Sequence, residues 1–595
     1  MAQNELPSQQ IDSINAQTDR PTPRKSLRLW PGVVIVILQW LAWFVVPLFG
    51  TQGLGYGMLG GALFALALIV WWLFFSRAPW VERVGFLVLT VVALIATKRV
   101  VHESIAGGGM GYLLYVLSIP IMSLALVAWA VGSRRLSTRP RRVAMVATIL
   151  LACGLFTLVR TGGATGEFDN DLHLRWTKTP EQQFLAQTGD EAPAAPATLR
   201  MTTAAGTEAD WPGFRGPQRD GITRGLQIKT DWSASPPVQM WRRPIGPGWS
   251  SFAVQRGRVY TQEQRGSEEI VACYDVNTGK LVWKHGDAAR FYESTGGPGP
   301  RATPTLSNGR VYTLGATGIL NVLNADTGAV VWSRNAVSDT GAKIPGWGIS
   351  GSPLITNDLV IVAASANLAA YDIANGNLRW RGPTGRGQSY SSPQLFTIDG
   401  VPQVVLMSAT GVTSVTPADG KPLWDYSWQS DTRIMQPAMT ADGDLLMTIG
   451  DGMGGGGLRR IAVKQGSNGW TIEERWTSED LNANFNDFVV HEGHVYGFDY
   501  SNVACIDVKD GKSKWKGAKY GYGQLVLLSD SDALVVLGEK GELALVKATP
   551  DQFTELARIP AIEGKTWNHP VVADDLLLVR NDHEMAAFRL SLANR

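Results

Sequence analysis

Cysteine is scarce and net charge is nearly absent. Three Cys in 595 residues, widely separated, exclude a disulfide scaffold and a Cys-rich zinc site. No Cys-x-x-Cys-His run is present, so no c-type haem is attached to this chain. A net charge of +2 gives no basic field, and nothing in the composition points to nucleic acid as a partner. The Gly-rich stretch 450–457 is not followed by Gly-Lys-Ser/Thr, so it is not a P-loop. Charge is also missing locally: none occurs between Arg28 and Arg77.

What is present falls into two composition regimes, and the length exceeds one ordinary domain. With 45% hydrophobic residues most of the chain can bury a core, which excludes general disorder. Residues 1–28 are polar and read as a disordered cytoplasmic tail. Residues 29–161 carry five apolar runs, near Leu29–Phe49, Met58–Phe75, Val84–Thr97, Ile105–Ser133 and Val143–Val159. The third run has 14 residues, about 21 Å as a helix, against a hydrocarbon core of about 30 Å. Trp80 at one end and Lys98 and Arg99 at the other would extend it. With five spans and the N-terminus inside, the Arg134–Arg142 cluster stays inside with most other cations, as the positive-inside bias requires. The apolar runs have no Asp, Glu, Lys or His in their interiors, so they read as an anchor in the bacterial cytoplasmic membrane rather than a transport path. Gln39, Trp40 and Trp43 read as packing residues, with membrane quinone as their functional alternative. Cys153 reads as a packed membrane-helix residue. Residues 162–210, with an Ala/Pro/Thr stretch at 191–198, read as a flexible extracytoplasmic linker without visible chemistry.

Residues 211–595 repeat themselves. A strand, a polar turn ending in Gly, and a strand with Trp recur as Ala272-Cys-Tyr-Asp-Val-Asn-Thr-Gly-Lys-Leu-Val-Trp283, Val322–Trp332, Ala370–Trp380, Ser414–Trp424 and Cys505–Trp515. A stretched copy ends at Trp476, a degenerate one at Leu545–Arg558 lacks Trp, and an orphan Trp241 opens the series. Spacings of 39 to 52 residues suit one four-stranded propeller blade per repeat. Eight hairpins start near Phe252, Thr303, Ser352, Ser392, Gln436, Phe488, Gln524 and His569. The last lacks a Trp strand and Gln239-Met-Trp-Arg-Arg243 lacks a hairpin, so the two chain ends are expected to share the eighth blade. The fold class expected is therefore an all-β eight-bladed β-propeller preceded by an α-helical transmembrane domain of five helices. The turn glycines supply positive φ and the Trp rings fill the space between blades. Cys273 and Cys505 occupy a small slot that Ala370 and Ser414 fill elsewhere.

These repeats resemble the PQQ-like β-propeller family. That resemblance implies either of two functions: a quinoprotein dehydrogenase holding pyrroloquinoline quinone (PQQ) and Ca²⁺ over the axis, or a cofactor-free ring that presents itself to protein partners, as in outer-membrane assembly lipoproteins. The opening Asp210-Trp-Pro-Gly-Phe-Arg-Gly-Pro-Gln-Arg-Asp220 is similar to the start of many bacterial PQQ-like propellers, and the five-span layout is similar to membrane-bound quinoprotein glucose dehydrogenase. The segments entering each innermost strand line the funnel. They bring Arg301, Arg433 and Lys565 as anion-binding candidates and Trp249, Trp347 and Trp567 as stacking candidates. Asn486 and Asn568 supply amides, and Asp487 and His569 are the general acid/base candidates. Against the dehydrogenase stand a single well-placed carboxylate, too few for Ca²⁺, and the lack of an adjacent Cys pair. The first reading is therefore a membrane-anchored, ligand- or protein-binding module of the envelope. A PQQ-dependent alcohol or sugar dehydrogenase that feeds membrane quinone is the alternative, and no metal ligand set is named.

Overall fold

A computed structural model describes residues 28–49, 53–188, 210–428, 433–450 and 456–593. The expected N-terminal tail, the 191–198 stretch and most of the 450–457 loop lie outside these residues.

The first packed unit runs to Thr161 and includes Leu172–Arg175. Its helices are α1 (Trp30–Phe44), α2 (Gly53–Val70, continued by a π turn to Phe75), α3 (Trp80–Thr97), α4 (Glu103–Gly111), α5 (Leu113–Gly132) and α6 (Thr138–Phe156). Among the described residues three stretches are long and apolar enough to cross a membrane, Gly55–Phe75, Trp80–Thr97 and Leu113–Gly132, and α1 is a shorter apolar helix. The third apolar run, short in the sequence, gains a full turn because Pro79 starts the helix at Trp80. Gln39 is buried and donates to the Gly61 carbonyl at 3.1 Å, and Trp40 Nε1 donates to Pro120 O at 3.3 Å. The ring of Trp43 lies where a Cβ on Gly61 would stand. These groups hold α1 to its neighbours. Near the helix starts, Glu82 and Arg141 form a buried ion pair at 3.1 Å. Cys153, Cys273 and Cys505 are all buried and free.

The second unit, Gly162–Asp171 with Trp176–Arg595, contains the propeller. Blade 1 is an antiparallel sheet of Ala253–Gln255, Arg258–Arg265, Glu268–Asp275 and Leu281–Asp287, in that order from the axis outward. Six more blades follow in sequence. The eighth is built from Val571–Ala573, Leu576–Arg580, Glu584–Arg589 and, from the other end of the propeller sequence, Val238–Pro244, with Ala587 opposite Trp241. Ring closure leaves few sheet edges exposed. Blade 7 gains a fifth strand, Ile222–Thr223, parallel to its innermost strand.

Alternation alone does not explain the Trp. In each clear repeat the outer strand carries a β-bulge one step from the Trp pair, as at Cys273/Tyr274, Ala370/Tyr371 and Cys505/Ile506. The Trp lies opposite the small-slot residue: Cys273 with Trp283, Ala370 with Trp380, Cys505 with Trp515. A bulge increases local twist and re-aims side chains. The ring then reaches the next blade, where Trp283 Nε1 donates to Ala325 O at 2.9 Å and Trp332 Nε1 to Ile373 O at 3.1 Å.

The turn Gly of that next blade has two jobs. Its φ is positive, and its missing Cβ makes room for the ring: a Cβ on Gly328 (φ 72°) would stand 2.5 Å from Trp283. Gly309 has nearly the same φ, 71°, with open space around it. Gly309→Ala should therefore cost about 1 kcal/mol for the left-handed conformation alone. Gly328→Ala should add the overpacking penalty and cost about 2–4 kcal/mol. Urea unfolding followed by Trp fluorescence separates the two. Equal losses would show that close approach to the ring is irrelevant. Trp424 departs from the pattern, since blade 5 has no such turn: its Nε1 donates to Gln403 Oε1 within its own blade, at 2.7 Å.

Candidate functional site

The first residues of the innermost strands meet around the axis and hold one another. Ser251 N donates to Thr303 Oγ1 (3.0 Å), Thr303 N to Ser352 Oγ (3.0 Å) and Ser352 N to Ser392 Oγ (2.8 Å). Asp487 N donates to Gln524 Oε1 (3.1 Å), Gln524 Nε2 to Trp567 O (3.3 Å), and Ser251 Oγ to His569 O (2.6 Å). Side chain and main chain thus alternate from blade to blade, which spreads the sheets' cooperativity around the ring.

The segment Trp211–Asp220, read in the sequence only as a family-like opening, is an axial hub. Trp211 exchanges both main-chain hydrogen bonds with Val254 of blade 1, and Pro212 O accepts from Leu306 N of blade 2. Arg219 donates to Pro353 O and Ser352 O of blade 3 and to Gln394 Oε1 of blade 4. Arg215, 3% exposed, donates to Phe488 O at 2.6 Å and places Nε 2.9 Å from Asp487 Oδ2 in blade 6. His569 Nε2 reaches the same oxygen at 3.1 Å, and Phe214 meets the His569 ring edge-on at 4.8 Å. Burial pulls the Arg219 guanidinium down to about 10, with Arg215 adding. Burial lowers the His569 pKa, with Asp487 opposing and Arg215 adding. Asp487 and His569, expected from sequence to be available as acid and base, are brought together. What they face is Arg215.

The other candidates fall into two groups. Lys565 lies between two rings, 4.6 Å from Trp567 and 5.3 Å from Trp249, whose own centroids are 4.9 Å apart. Its ammonium donates to Thr295 O at 2.8 Å and Ala164 O at 3.4 Å. Burial lowers its pKa, with the carboxylates of Asp582, Glu293 and Glu539 opposing. Trp567 Nε1 donates to Glu539 Oε1 at 2.7 Å, and Trp249 Nε1 to Gly296 O at 2.7 Å. Arg301 holds Gly299 O and Gly297 O, both at 2.9 Å, and pairs with Glu293. In the second group, Trp347 packs against Tyr390 at 5.2 Å, and Tyr390 N donates to Arg433 O at 2.7 Å. Arg433 is buried, lies under Trp428 at 4.9 Å and bonds the Gly450 carbonyl. Asn486 donates to Tyr500 O at 3.1 Å, and Asn568 to Ser250 O at 2.8 Å and Gly248 O at 3.2 Å.

PQQ with Ca²⁺ can be tested against this donor set, and the residues do not fit it. The cations that would meet an acidic quinone are spent on main-chain carbonyls. Asp487, the carboxylate expected on the axis, is already shared by a guanidinium 2.9 Å away and an imidazole, so a divalent cation there would face a buried positive charge.

Sequence reasoning put Phe485 and Tyr522 in funnel-lining segments without giving either a role, and missed Glu539 and the start of the expected linker. Phe485 stacks on Tyr522 at 5.5 Å and meets Trp567 at 5.0 Å. Residues 162–171 lie on this mouth, while α7 (Pro180–Thr188) is bound through Glu181 to Arg290 and the Gly266 amide. The signal available was the small-residue run Gly162-Gly-Ala-Thr-Gly166, which composition assigns to a spacer.

Together these features define an eight-bladed propeller of PQQ-like repeats whose axis is filled by its own chain. Residues 232–396 and 397–554 match the family described as outer membrane protein assembly factor BamB, and the chain belongs to that family. Outer membrane protein assembly factor BamB of Shewanella oneidensis is 22% identical over 372 residues, which span 58% of this chain and 86% of that protein. Tetrathionate hydrolase of Acidithiobacillus ferrooxidans is 28% identical over 223 residues, 34% of this chain and 42% of that protein. The crystal structure of BamB from Moraxella catarrhalis aligns with a TM-score of 0.44 at 16% identity, covering 59% of this chain and 99% of that one.

Proposed function

We propose that this chain is a membrane-anchored protein-binding module of the cell envelope, with its propeller on the extracytoplasmic side and its partner among proteins that serve outer-membrane assembly. One observation carries the reading: the cationic and carboxylate groups at the funnel are engaged by the chain's own carbonyls, amides and hub, which favours a polypeptide partner over a small acidic ligand. The relatives named as assembly factors support the envelope role. The sequence's loop-charge bias supports five spans, an inside N-terminus and an outside propeller, and α2, α3 and α5 are of spanning length.

The test is photo-crosslinking from the full-length chain in its own membrane. A photoreactive residue is placed at exposed Ile344 and Tyr500, and separately at exposed Val330 and Leu556 on the outer strands. Discrete adducts with an envelope assembly protein are expected from one set of positions. No adduct from any of the four, or purified protein that binds micromolar PQQ with Ca²⁺ and reduces a dye with an alcohol, overturns the reading.

A further inference from the structure

The mouth next to Lys565 is built to hold polypeptide main chain. Glu539 is 4% exposed, and its carboxylate is held by Trp567 Nε1 and, at 3.1 Å, by Tyr522 N. Its Oε1 accepts from Gly166 N at 2.6 Å. Lys565 contributes a donor to Ala164 O, and the Thr295 carbonyl an acceptor for Ala164 N at 3.4 Å. A preorganised carboxylate and an ammonium therefore flank the segment, reading amide and carbonyl rather than side chains. Shape supplies the selectivity. A Cβ on Gly163 would stand 2.4 Å from Thr295 O, and one on Gly166 would stand 2.3 Å from the Tyr522 ring. Glu167 pairs by side chain with Lys519 at 2.5 Å. Beyond it the segment turns back, Phe168 N donating to Thr165 O.

We propose that this mouth is a binding site for a tight polypeptide turn with glycine at two positions three apart, and that residues 163–167, which turn back between Thr165 and Asp169, occupy it in cis as a pseudo-ligand that a partner's segment must displace. The proposal rests on the protein-binding reading and names its ligand class. A tethered segment competes at an effective concentration in the millimolar range. The intact chain therefore admits a free peptide weakly, and displacing the segment opens the site.

The probe is a fluorescein-labelled peptide with the sequence of residues 161–170, titrated by anisotropy into the full-length chain in detergent micelles. Gly163→Val combined with Gly166→Val prevents the segment from seating and should tighten peptide binding at least about tenfold over the wild type. Adding Glu539→Gln should remove that gain, and a probe carrying Gly166→Val should not bind. Equal binding, or none, by wild type and double variant would overturn the proposal, as would gain that survives Glu539→Gln. If the double variant misfolds, Gly166→Ala with Glu167→Lys loosens the segment more gently and must show the same order of affinities. Because the probe is a defined peptide, this result is independent of whichever envelope protein is cross-linked at the rim.

Discussion

Arg215→Ala should lower the stability of the propeller by about 3–5 kcal/mol, read as a shift in the urea midpoint of Trp fluorescence. The guanidinium and the Asp487 carboxylate are both nearly inaccessible to water, 2.9 Å apart, and the guanidinium also satisfies Phe488 O and Asp220 O. Removing it strands a carboxylate on the axis beside the His569 imidazole. Replacing both partners, as Arg215→Met with Asp487→Leu, should recover much of the loss, because apolar groups of similar volume avoid the desolvation cost that a lone charge incurs. If Arg215→Ala loses less than about 1 kcal/mol, the hub is an accessory rather than the element that ties the inner strands together. The same site has a pH signature. The folded state depresses the His569 pKa below that of the unfolded chain, chiefly through burial. The stability tied to its neutral form is thus present above about pH 6.5 and is lost as pH falls through the lower folded value. His569→Gln, which keeps a donor without the titration, should flatten that acid limb of the stability profile.

Arg580→Ala should be comparably damaging, about 4 kcal/mol, because this side chain fastens the ring shut. Arg580 is 0% exposed and belongs to blade 8, yet its two terminal nitrogens are spent on blade 1 and the loop leading to it: Thr261 Oγ1 (2.6 Å), Gln262 O (3.0 Å), Gly246 O (3.0 Å) and Gly248 O (3.3 Å). Burial pulls its pKa down to about 10, so it stays charged through the neutral range. Lys offers a point charge instead of a planar fork and should rescue little. Deleting residues from Glu584 onward removes the strand that pairs with Val238–Pro244. The opened ring should then expose two sheet edges, digest early under limited proteolysis and aggregate on size-exclusion chromatography. A truncated chain that stays monomeric and protease-resistant would show that the strand pairing is dispensable for closure.

Much of the fold was legible because the repeat imposes the same local problem in five clear copies. Trp, Gly and the small slot opposite recur at fixed offsets, and each has a contact that only that residue type satisfies, as Gly328 does beneath Trp283. Closure of the ring was legible from what each chain end lacked. The site was less so. Asp487 and His569 stood out in the sequence, but the Arg215 that faces them comes from 272 positions before Asp487. No periodicity marks such a pair. Likewise Glu539 sits in an ordinary hairpin turn, and Gly163 and Gly166 read as spacer.

Hydrophobic runs and short-range patterns that act within some fifty residues were enough to specify the two regimes, the blade count and the sharing of blade 8. Tertiary structure alone decided what the polar residues at the funnel do. Lys565, Arg301 and Arg433 look alike as free cations in the sequence, but each is spent on carbonyls that the folded chain brings to it. A buried charge must find a partner wherever the fold supplies one, and on an axis where eight blades converge the nearest partner in space has no fixed distance along the chain.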